Sequence, residues 1–579
     1  MLSSLLKLIT FLKDYYKNLY YKGVNSLKKS RLKKFLTLLV TGLVTTSIFL
    51  GCGSKEDGSA DDKVSKVEQK ISYNLGAEPK TIDPGLNSAT DGSTVISNAF
   101  EGLCRLDEKD QPIPGVAEKW DISEDGLTYK FYLRKDAKWT DGKEVTAKDF
   151  EYAWKRALDP KTAAEYGYQL FYLKNGEAFN SGKASKDDVG VKAIDDYTLE
   201  VVLESPTAYF LSLMAFPTYL PVREDIVEKD PEGWANKPET YVSNGPFKLK
   251  EWNPKDSMIF VKNENYWNAD TIKLETLEYR MIEEATSALA SFKQGDLDFI
   301  EQPPSQEIPQ LLADGTAKVY PYLGTYFYVF NLSEEAKNIN PEVAKVLQDV
   351  KVRKALSLAI NRKLIVEQVT KGGQVGAYSF VPEGIPENKD KDFAGEKYFN
   401  PEGDLEEAKK LLAEAGYPNG ENFPKIELLF NTGEGHQNLA QAIQDMWKKN
   451  LNIDVELKNE EWKVFQSSRN DKKFLIARHG WIADYADPMT FLDMWTSKSG
   501  QNDATYNNPK YDELIGKAKK ELDPAKRMEF LHEAEKLLME YMPILPIYYY
   551  TNVICMKENV KGVRKSPLGF TFFDKAYVE

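Results

Sequence analysis

Apolar and polar residues follow one another in blocks that predict strands and helices in turn. Short apolar runs and strict alternation predict strands over residues 71–75, 127–133, 197–203, 248–262, 425–431, 453–457 and 544–550. Helical spacing predicts helices over residues 147–159, 350–372, 404–415 and 523–540, and around Leu439, Ile443, Met446 and Trp447. In the second half of the chain strands and helices alternate, which predicts α/β units.

The best-defined helix follows the turn Asp141-Gly142. Thr146 is a good N-cap, and Asp149 stands three residues further on, so the two residues can form a capping box. Pro160 ends this helix because proline cannot donate a backbone hydrogen bond. Its apolar face is formed by Phe150, Ala153, Trp154 and Ala157.

Asp484 is a carboxylate in an apolar setting. It follows the apolar run 474–477, which predicts a buried strand, and it lies between Trp481 and Tyr485. A buried charge loses its hydration unless a cation compensates it, and no Lys or Arg occurs between Trp481 and Lys498. The missing cation could belong to a ligand; otherwise a distant Lys or Arg, or backbone amides, must pair with Asp484.

Composition describes an acidic globular protein that is rich in aromatic residues. The chain has 579 residues, 42% hydrophobic and 28% charged, which is enough for about three or four domain-sized cores. Residues 52–579 contain 67 basic and 88 acidic side chains, a net charge of −21. This charge argues against nucleic acid and anionic membrane surfaces as partners. The 32 Tyr and 10 Trp residues can form contact surfaces or simply fill cores.

The N-terminus has the organisation of a secretory signal. Basic residues precede an uncharged apolar stretch, 35–51, and Cys52 follows directly. This order is similar to a bacterial lipoprotein signal, which implies a lipid on Cys52, although Phe49 departs mildly from the usual pattern. The alternative is an uncleaved anchor, for which the stretch would be at the lower limit of length. Residues 53–66 are polar, as a flexible tether would be.

Residues 1–27 add an apolar and aromatic segment ahead of that signal. No Met occurs between Met1 and Met214. We therefore hypothesise that translation starts downstream at a non-AUG codon, near Val24.

The chain contains three cysteines. With Cys52 modified, Cys104 and Cys555 could form a disulfide or could remain buried thiols. The sequence leaves both alternatives open.

Enzyme and metal motifs are incomplete. His532-Glu533 begins like a zinc-binding H-E-x-x-H, but Lys536 stands where the second His must coordinate. Residues 121–132 begin like a calcium loop, but Tyr132 replaces the bidentate Glu, so a turn is favoured. There is no G-x-S-x-G elbow, P-loop or Rossmann glycine pattern. We predict no cofactor and no metal, and an exported hydrolase with an unrecognised carboxylate pair stays the alternative class.

Six segments together resemble one family, the extracytoplasmic oligopeptide-binding proteins of ABC peptide importers, solute-binding family 5. The most specific segment is residues 126–160, GLTYKFYLRKDAKWTDGKEVTAKDFEYAWKRALDP. The others are AEPKTIDP, SNGPFKLKEW, VRKALSLAINR, HGWIADYADP and YNNPKYDELI. The resemblance covers nearly all of residues 67–579.

The resemblance implies an α/β, two-lobed periplasmic-binding-protein type II fold. Mixed sheets would form the lobes, crossing hinge segments would join them, and an extra domain would be inserted in the first lobe. The implied divisions are 1–51 as signal region, 52–66 as lipidated tether, 67–90, 222–325 and 551–579 as first lobe, 91–221 as extra domain, and 326–550 as second lobe. A ligand is enclosed when the lobes close.

The resemblance also implies ligand contacts. Asp484, which Tyr485 flanks, matches the carboxylate that receives the α-ammonium of a peptide, and this would supply the missing cation. Trp462 and Trp481 match aromatic residues that form walls of side-chain pockets in the family. Six residues match the extended segments that hydrogen-bond to the peptide main chain: Glu78, Pro79, Lys80, Gly480, Trp481 and Ile482. Because main-chain pairing does not depend on side chains, the site would tolerate many peptide sequences.

Three cations match positions that meet the C-terminal carboxylate at different peptide lengths: Arg469, Arg478 and His436. On the bare residues, Arg469 could equally be a surface side chain and His436 a helix cap, while Trp447 is predicted to be core. Some relatives carry a disulfide near the hinge, and the corresponding residues here are Gly324 and Ile482. That bridge is absent, so preferred peptide length cannot be transferred.

These matches imply a non-enzymatic, monomeric receptor that is anchored outside the cytoplasm by a lipid. It would capture short peptides and pass them to a membrane permease with ATPase subunits. Alternatives within the binding class are receptors for dipeptides, nickel chelates or a peptide signal. The three-cation set favours longer peptides.

Overall fold

One large mixed sheet forms the backbone of the fold. In the computed structural model, which describes residues 67–388 and 390–579, the strands in chain order are β1 (Lys70–Asn74), β2 (Cys104–Leu106), β3 (Pro112–Pro114), β4 (Ala117–Ile122), β5 (Thr128–Leu133), β6 (Val191–Asp195), β7 (Thr198–Val202), β8 (Phe247–Asn253), β9 (Ser257–Lys262), β10 (Thr276–Arg280), β11 (Phe299–Glu301), β12 (Ala317–Phe330), β13 (Val375–Gly376), β14 (Pro386–Asn388), β15 (Lys391–Asp392), β16 (Ile426–Asn431), β17 (Val455–Glu460), β18 (Ile476–Ile482), β19 (Ile544–Met556), β20 (Val560–Lys561), β21 (Arg564–Lys565), β22 (Thr571–Phe572) and β23 (Tyr577–Val578). The order of the large sheet is β17-β16-β18-β12-β19-β11-β1-β10-β9-β8, and β13 pairs with β19.

Each end of this sheet has its own group of parallel strands. At one end β16 runs parallel to β17 and β18, and at the other end β1 runs parallel to β10 and β11. Parallel neighbours need long crossover connections, which the intervening helices provide. The sheet therefore combines two α/β halves.

Two long strands join these halves. β12 and β19 are antiparallel to each other; β12 also pairs with β18, and β19 also pairs with β11. The predicted crossings at residues 325–326 and 550–551 fall within these strands, and the β12–β19 pairing is interrupted between Pro321 and Thr325. The predicted strand 544–550 thus continues to Met556 because it pairs with both halves. The lobe boundaries themselves stay predictions.

Helices connect the strands of both halves. They are α1 (Thr90–Ala99), α2 (Ala147–Leu158), α3 (Gly176–Asn180), α4 (Phe210–Leu213), α5 (Glu224–Val227), α6 (Ala285–Gln294), α7 (Ile308–Ala313), α8 (Ala336–Ile339), α9 (Pro341–Leu347), α10 (Val350–Leu358), α11 (Arg362–Leu364), α12 (Leu405–Glu414), α13 (Glu434–Leu451), α14 (Trp462–Asn470), α15 (Met489–Leu492), α16 (Pro509–Lys520) and α17 (Pro524–Tyr541). A short 3₁₀ helix, Gly167–Tyr172, also contributes to the site described below.

The predicted helix after Thr146 is confirmed. Helix α2 begins with a capping box, in which the Asp149 carboxylate accepts a hydrogen bond from the Thr146 backbone N–H at 2.8 Å. The prediction of Trp447 as core is confirmed as well. Its side chain on α13 is fully buried, and its indole N–H donates to the Leu356 carbonyl at 2.8 Å.

The predicted helix over residues 350–372 is wrong in its continuity. Helix α10 ends at Leu358, and α11 starts only after Asn361, whose side chain caps it by accepting the Leu364 N–H at 2.8 Å. Arg362 is fully buried and donates to the Pro546 carbonyl of β19 at 2.7 Å. The break therefore lets a buried guanidinium satisfy a backbone carbonyl of the central sheet.

A separate four-stranded sheet lies within the segment predicted as the extra domain. Its order is β4-β5-β7-β6, with all neighbours antiparallel. The calcium-like segment 121–132 contributes the β4–β5 hairpin, where Asp125 accepts the Leu127 N–H at 3.0 Å. This confirms that the segment is a turn.

Cys104 and Cys555 are both buried free thiols. The disulfide alternative is therefore wrong, and the thiol alternative is confirmed. Burial raises the pKa of the Cys104 thiol to about 12, which keeps it protonated and unreactive.

The predicted signal region, tether, lipidation site Cys52 and translation start near Val24 lie outside the described residues. Within the described part of the chain, every helix is too short or too polar to cross a membrane.

Glu535 is a buried carboxylate of α17 that supports the central strand β12. It is 1% exposed, and its Oε1 accepts backbone N–H groups from Phe380 at 3.1 Å and Val381 at 2.8 Å. Phe380 packs edge-on against Phe327, and its carbonyl accepts the Thr325 hydroxyl at 2.7 Å. Burial raises the pKa of Glu535 to about 7 despite the two N–H donors. The backbone at Phe380 and Val381 is therefore held by a carboxyl group whose charge changes near neutral pH.

We expect Glu535→Gln to stabilise the protein at about pH 8 but not at about pH 5. The folded pKa of about 7 exceeds the ordinary value of 4.5. The contribution of Glu535 to the free energy of unfolding is therefore greatest below pH 4.5 and is lost as the pH rises through 7. At 1.36 kcal/mol per pKa unit, the loss is at most about 3 kcal/mol. Denaturant unfolding at the two pH values measures it, with Glu533→Gln on the exposed side of α17 as control. An equal effect of Glu535→Gln at both pH values would contradict the assignment.

Candidate functional site

A cavity of about 470 Å³ lies against β18. Segments from both predicted lobes line it, including residues 75–77 and 480–482, and the predicted extra domain contributes Asp91, Tyr166 and Phe216. Eight of the predicted contact residues lie in the lining: His436, Trp462, Arg469, Arg478, Gly480, Trp481, Ile482 and Asp484. The cavity thus lies where the predicted divisions of the chain meet.

The predicted extended segment Glu78–Lys80 lies next to the lining but outside it. Residues 75–77 line the cavity at this point. The Glu78 carboxylate accepts the Trp252 indole N–H at 3.0 Å, Pro79 is buried, and Lys80 pairs with Glu165 at 3.0 Å. The role of Glu78, Pro79 and Lys80 in main-chain binding stays a prediction.

Tyr485 lies behind Asp484 in an aromatic cluster. Its ring stacks on Tyr209 with centroids 4.5 Å apart, and its hydroxyl lies 3.2 Å from that of Tyr172. Tyr485 is buried and outside the cavity lining. It holds the loop after β18 in place, and a direct ligand contact stays a prediction.

The backbone of β18 approaches its neighbours closely. Gly480 faces Tyr550 so closely that a Cβ at this position would collide with the phenol oxygen. Gly324 of β12 pairs with Ile482, and a Cβ there would meet the Trp481 carbonyl. The positions that the resemblance matches to a disulfide therefore form, in this chain, a close backbone contact that requires glycine at 324.

Asp484 has neutral partners. Its carboxylate accepts the Tyr166 hydroxyl at 3.1 Å and the Gln169 amide at 2.9 Å, and its backbone N–H donates to Thr490 at 3.0 Å. No Lys or Arg pairs with this carboxylate among residues 67–388 and 390–579. The two alternatives to a ligand cation, pairing of Asp484 with a distant basic residue or with backbone amides, are therefore wrong for the described residues. The carboxylate is left without a cation there.

The surroundings of Asp484 oppose its ionisation. Burial raises the pKa of Asp484 well above its usual range, and the nearby carboxylate of Asp493 raises it further. Asp493 itself has a cation, since Lys519 pairs with it at 3.3 Å. Neutral donors offset part of the desolvation but supply no positive charge.

Arg478 is the reverse case, a cation without an anionic partner among the described residues. Its guanidinium donates to the Tyr550 hydroxyl at 3.0 Å and lies 5.0 Å from the centre of the Tyr326 ring. No carboxylate pairs with it within the described part of the chain. Because arginine stays protonated, Arg478 is a cation in the cavity that is held by phenols and by no anion.

Arg469 differs from Arg478 because its charge is already compensated. Its Nε lies 2.9 Å from the Asp503 carboxylate, which Lys472 also contacts at 2.9 Å and His479 at 3.3 Å. Burial alone would raise the pKa of Asp503, but Arg469 and Lys472 hold it below its usual range. Arg469 thus lines the cavity as part of a neutralised cluster.

His436 contributes polarity without charge. Burial and the neighbouring Arg478 lower the pKa of His436 well below its usual range, so the imidazole is neutral near pH 7. Its Nδ1 lies 3.2 Å from the Tyr326 hydroxyl. The three predicted cations therefore reduce to one uncompensated charge, that of Arg478.

Tyr166 and Gln169 were missed from the sequence. They lie 318 and 315 residues from the carboxylate that they contact. The sequence signal was faint, since Tyr166 merely opens an aromatic-rich stretch, Tyr166–Tyr172. Such a stretch is more often core than ligand contact.

The zinc-like segment has a structural role. His532 Nε2 lies 3.1 Å from the Glu387 carboxylate, and the imidazole stacks on Phe393 with centroids 4.0 Å apart. Among the described residues, no group of three or more His, Cys, Asp or Glu side chains is arranged to hold a metal ion.

Comparison with known proteins decides the family. The family model of bacterial extracellular solute-binding proteins, family 5 (middle), matches residues 111–503. The chain belongs to this family. This family 5 protein is 40% identical over 554 residues to the oligopeptide-binding protein OppA of Bacillus subtilis (strain 168), with 94% of this chain and 98% of OppA covered. The resemblance drawn from the six segments is confirmed.

Solved structures confirm the two-lobed type II fold of this family 5 protein. OppA of Haemophilus influenzae in complex with the peptide RPPGFSPFR is 35% identical, with a TM-score of 0.81 over 88% of this chain and 99% of that chain. The murein tripeptide binding protein MppA of Escherichia coli gives the same values. A second MppA structure, its unliganded open form, gives a TM-score of 0.58 at the same identity, over 88% of this chain and 98% of that chain. The arrangement of this chain is thus closer to the peptide complex than to the open form.

We expect the Asp484 carboxyl to retain its proton at about pH 5, where an ordinary Asp is ionised. Burial without a cation is the reason, because it raises the pKa of Asp484. The infrared difference spectrum of wild type minus Asp484→Asn, recorded on protein freed of small molecules, should contain a protonated carboxyl band.

Asp503→Asn is the matched control for this measurement. Asp503 is even less exposed than Asp484, but two cations lower its pKa, so its difference spectrum should contain a carboxylate band. A carboxylate band for both residues at about pH 5 would show that Asp484 is already compensated.

Proposed function

We propose that this protein is a receptor that binds short peptides in extended form between its two lobes and delivers them to an ABC permease. One observation carries the proposal: among the described residues, a single cavity contains a carboxylate without a cation, Asp484, and a cation without a carboxylate, Arg478. A peptide with free termini has one ammonium and one carboxylate group. It therefore complements both residues.

The peptide ammonium is assigned to Asp484. The Asp484 carboxylate already accepts the Tyr166 hydroxyl and the Gln169 amide N–H, and its remaining lone pairs can accept from the three donors of a ligand ammonium group. Charge-assisted hydrogen bonds of this kind are about twice as strong as neutral ones. The phenol and the amide belong to the predicted extra domain, and the carboxylate belongs to the second lobe. Ligand contacts would thus favour the closed arrangement.

The peptide carboxylate is assigned to Arg478. Arg469 is a weaker candidate because Asp503 already binds its guanidinium, and His436 is neutral. The argument from three cations toward longer peptides is weakened accordingly. We propose that ligand length is set by the distance between Asp484 and Arg478.

The peptide backbone is assigned to β18 and to the segment around residues 75–80. Arg478, Gly480 and Ile482 alternate along β18 with more deeply buried residues, as side chains on one face of a strand do. Backbone pairing would accept many sequences.

Export and anchoring rest on the N-terminal sequence. The order of basic residues, apolar stretch and Cys52 supports a lipid on Cys52 and a location outside the cytoplasm. A membrane permease with ATPase subunits and a monomeric state are part of the same proposal. Binding without catalysis is supported by family membership, since family 5 consists of solute-binding proteins.

We expect Asp484→Asn to abolish discrimination between free and N-acetylated peptides. In the wild type, acetylation removes the ammonium and leaves Asp484 without a cation, which should cost about 100-fold in affinity. In Asp484→Asn the same acetylation should cost little. Isothermal titration calorimetry with a peptide pair of one sequence measures both ratios.

Asp471→Asn is the matched control, since it removes an exposed carboxylate just beyond α14. It should keep the wild-type discrimination. An acetylation penalty that is unchanged in Asp484→Asn would remove Asp484 from this role. Peptide recovered in cleaved form from these titrations would favour the exported hydrolase.

We expect Arg478→Met to abolish the penalty of amidating the peptide C-terminus, and Arg469→Met to keep it. The reason is that Arg478 lacks an anion whereas Arg469 already has Asp503. Titration of each variant with carboxylate and amide forms of one peptide measures the penalty. Loss of the penalty in Arg469→Met instead would move the carboxylate to Arg469 and imply a different ligand length.

A further inference from the structure

We propose that a second cavity, separate from the one against β18, binds a free amino acid with an apolar side chain. This inference goes beyond the proposed peptide binding and does not depend on it. It follows from an arginine and an aspartate that lack close partners in the same space, from the balanced charge of the lining, and from its apolar walls.

The second cavity is almost as large as the first. Its volume is about 440 Å³, against about 470 Å³ for the cavity that contains Asp484. Sites for small molecules typically have about 300–1,000 Å³. The cavity lies between the C-terminal end of α1, the β2–β3 hairpin and the β21–β22 hairpin. Among the described residues, the two linings have no member in common. A ligand in the second cavity would therefore touch none of the groups assigned to the peptide.

Arg105 presents donors to the second cavity. Its Nε has no hydrogen-bond acceptor among the described residues. Two carboxylates flank the guanidinium, Glu101 at 3.6 Å and Asp574 at 3.9 Å, and both distances are longer than a hydrogen bond. Trp267 packs against it, with the ring centre 5.4 Å from Cζ. The side chain is 27% exposed, so a ligand carboxylate can reach this permanent cation.

Asp574 is a carboxylate without a close cation. Within the described part of the chain its one ion pair is the contact of 3.9 Å with Arg105, and its carboxylate accepts no hydrogen bond there. Glu101 differs, because its carboxylate accepts the Trp267 indole N–H at 2.6 Å and the Tyr266 hydroxyl. Asp574 is thus the carboxylate that is available to a ligand ammonium.

The charges of the lining balance. Its acidic residues are Glu101, Asp107, Glu108 and Asp574, and its basic residues are Arg105, Lys109, Arg564 and Lys575. A ligand with a net charge would be left uncompensated in such a space, whereas a ligand with one charge of each sign would not. The ammonium and carboxylate groups of a free amino acid are attached to the same carbon. They suit a carboxylate and a guanidinium that lie side by side, as Asp574 and Arg105 do.

The remaining walls of the cavity are apolar. Five large side chains line it: Phe100, Leu106, Ile113, Leu220 and Phe572. They offer an apolar ligand side chain a surface that is shielded from water. Ser97 of α1 lies in the same lining, and its hydroxyl is buried without a partner among the described residues. A polar group of the ligand would satisfy that hydroxyl.

The test titrates free amino acids into protein freed of small molecules. Calorimetry compares L-leucine with N-acetyl-L-leucine, which lacks the ammonium, and with L-leucinamide, which lacks the carboxylate. We expect leucine to bind at least about tenfold more tightly than either blocked form. L-methionine and L-phenylalanine extend the test to other apolar side chains. Binding of none of the three amino acids, or equal binding of the blocked forms, would overturn the proposal.

Substitutions locate the bound amino acid. Asp574→Asn should lower leucine affinity about tenfold, because it removes the charge opposite the ammonium. Asp484→Asn should leave leucine affinity unchanged, since Asp484 belongs to the other cavity. Asp270→Asn, an exposed acid outside both linings, is the matched control. Leucine binding that is lost in Asp484→Asn and kept in Asp574→Asn would place the ligand in the first cavity and contradict the second site.

Arg105→Met tests the carboxylate end of the ligand. The variant should bind leucine about tenfold more weakly and should no longer prefer leucine to leucinamide. A preference that is unchanged in Arg105→Met would contradict the assigned role. Because Arg105 also compensates the buried Glu101, circular dichroism verifies that this variant is folded. Asp574→Asn is decisive by itself, since Asp574 is only half-buried.

The two proposals fail independently. If peptides bind and none of the amino acids does, the second site is wrong and the peptide receptor stands. If leucine binds through Asp574 and no peptide binds, the proposed function is wrong and the second site stands.

Discussion

The site depends on a carboxylate that is kept from water without a cation of its own. Removing a charge from water is costly, and the hydroxyl and amide that reach Asp484 offset only part of the cost. A lysine is present close by, but it pairs with Asp493. Asp484 is thus left without a cation although a lysine pairs with the neighbouring Asp493. In the same cavity Arg478 is a cation that no carboxylate of the described residues pairs with. Together the two residues define a ligand with separated charges.

The fold creates this condition by bringing distant segments together. β18 supplies Arg478 and leads into Asp484, and it lies next to the strand pair that joins both halves of the sheet. Tyr166 and Gln169 come from a segment more than 300 residues earlier. A change in the relative position of the lobes would therefore alter the partners of Asp484 directly. This links the electrostatics of the site to the difference between closed and open relatives.

Local signals in the sequence were sufficient for much of this picture. The capping box at Thr146, the buried strand before Asp484 and the absence of a local cation follow from residue types and spacing, and the structure agrees. What depended on tertiary contacts could not be predicted. The helix over 350–372 breaks where a buried arginine bonds to a carbonyl of a remote strand. The neutral donors at Asp484 lie too far away in sequence to be paired with it.

Arg469 shows the same limitation and also points to how such a receptor can diversify. From the sequence it was one of three residues matched to the ligand carboxylate, but Asp503 binds it together with Lys472 and His479. Asp503 is buried outside the cavity lining, so it is free of any direct constraint from the ligand. A substitution there would release a guanidinium toward the bound molecule without altering a contact residue. Evolution could thus shift the accepted ligand size through a position that never touches the ligand.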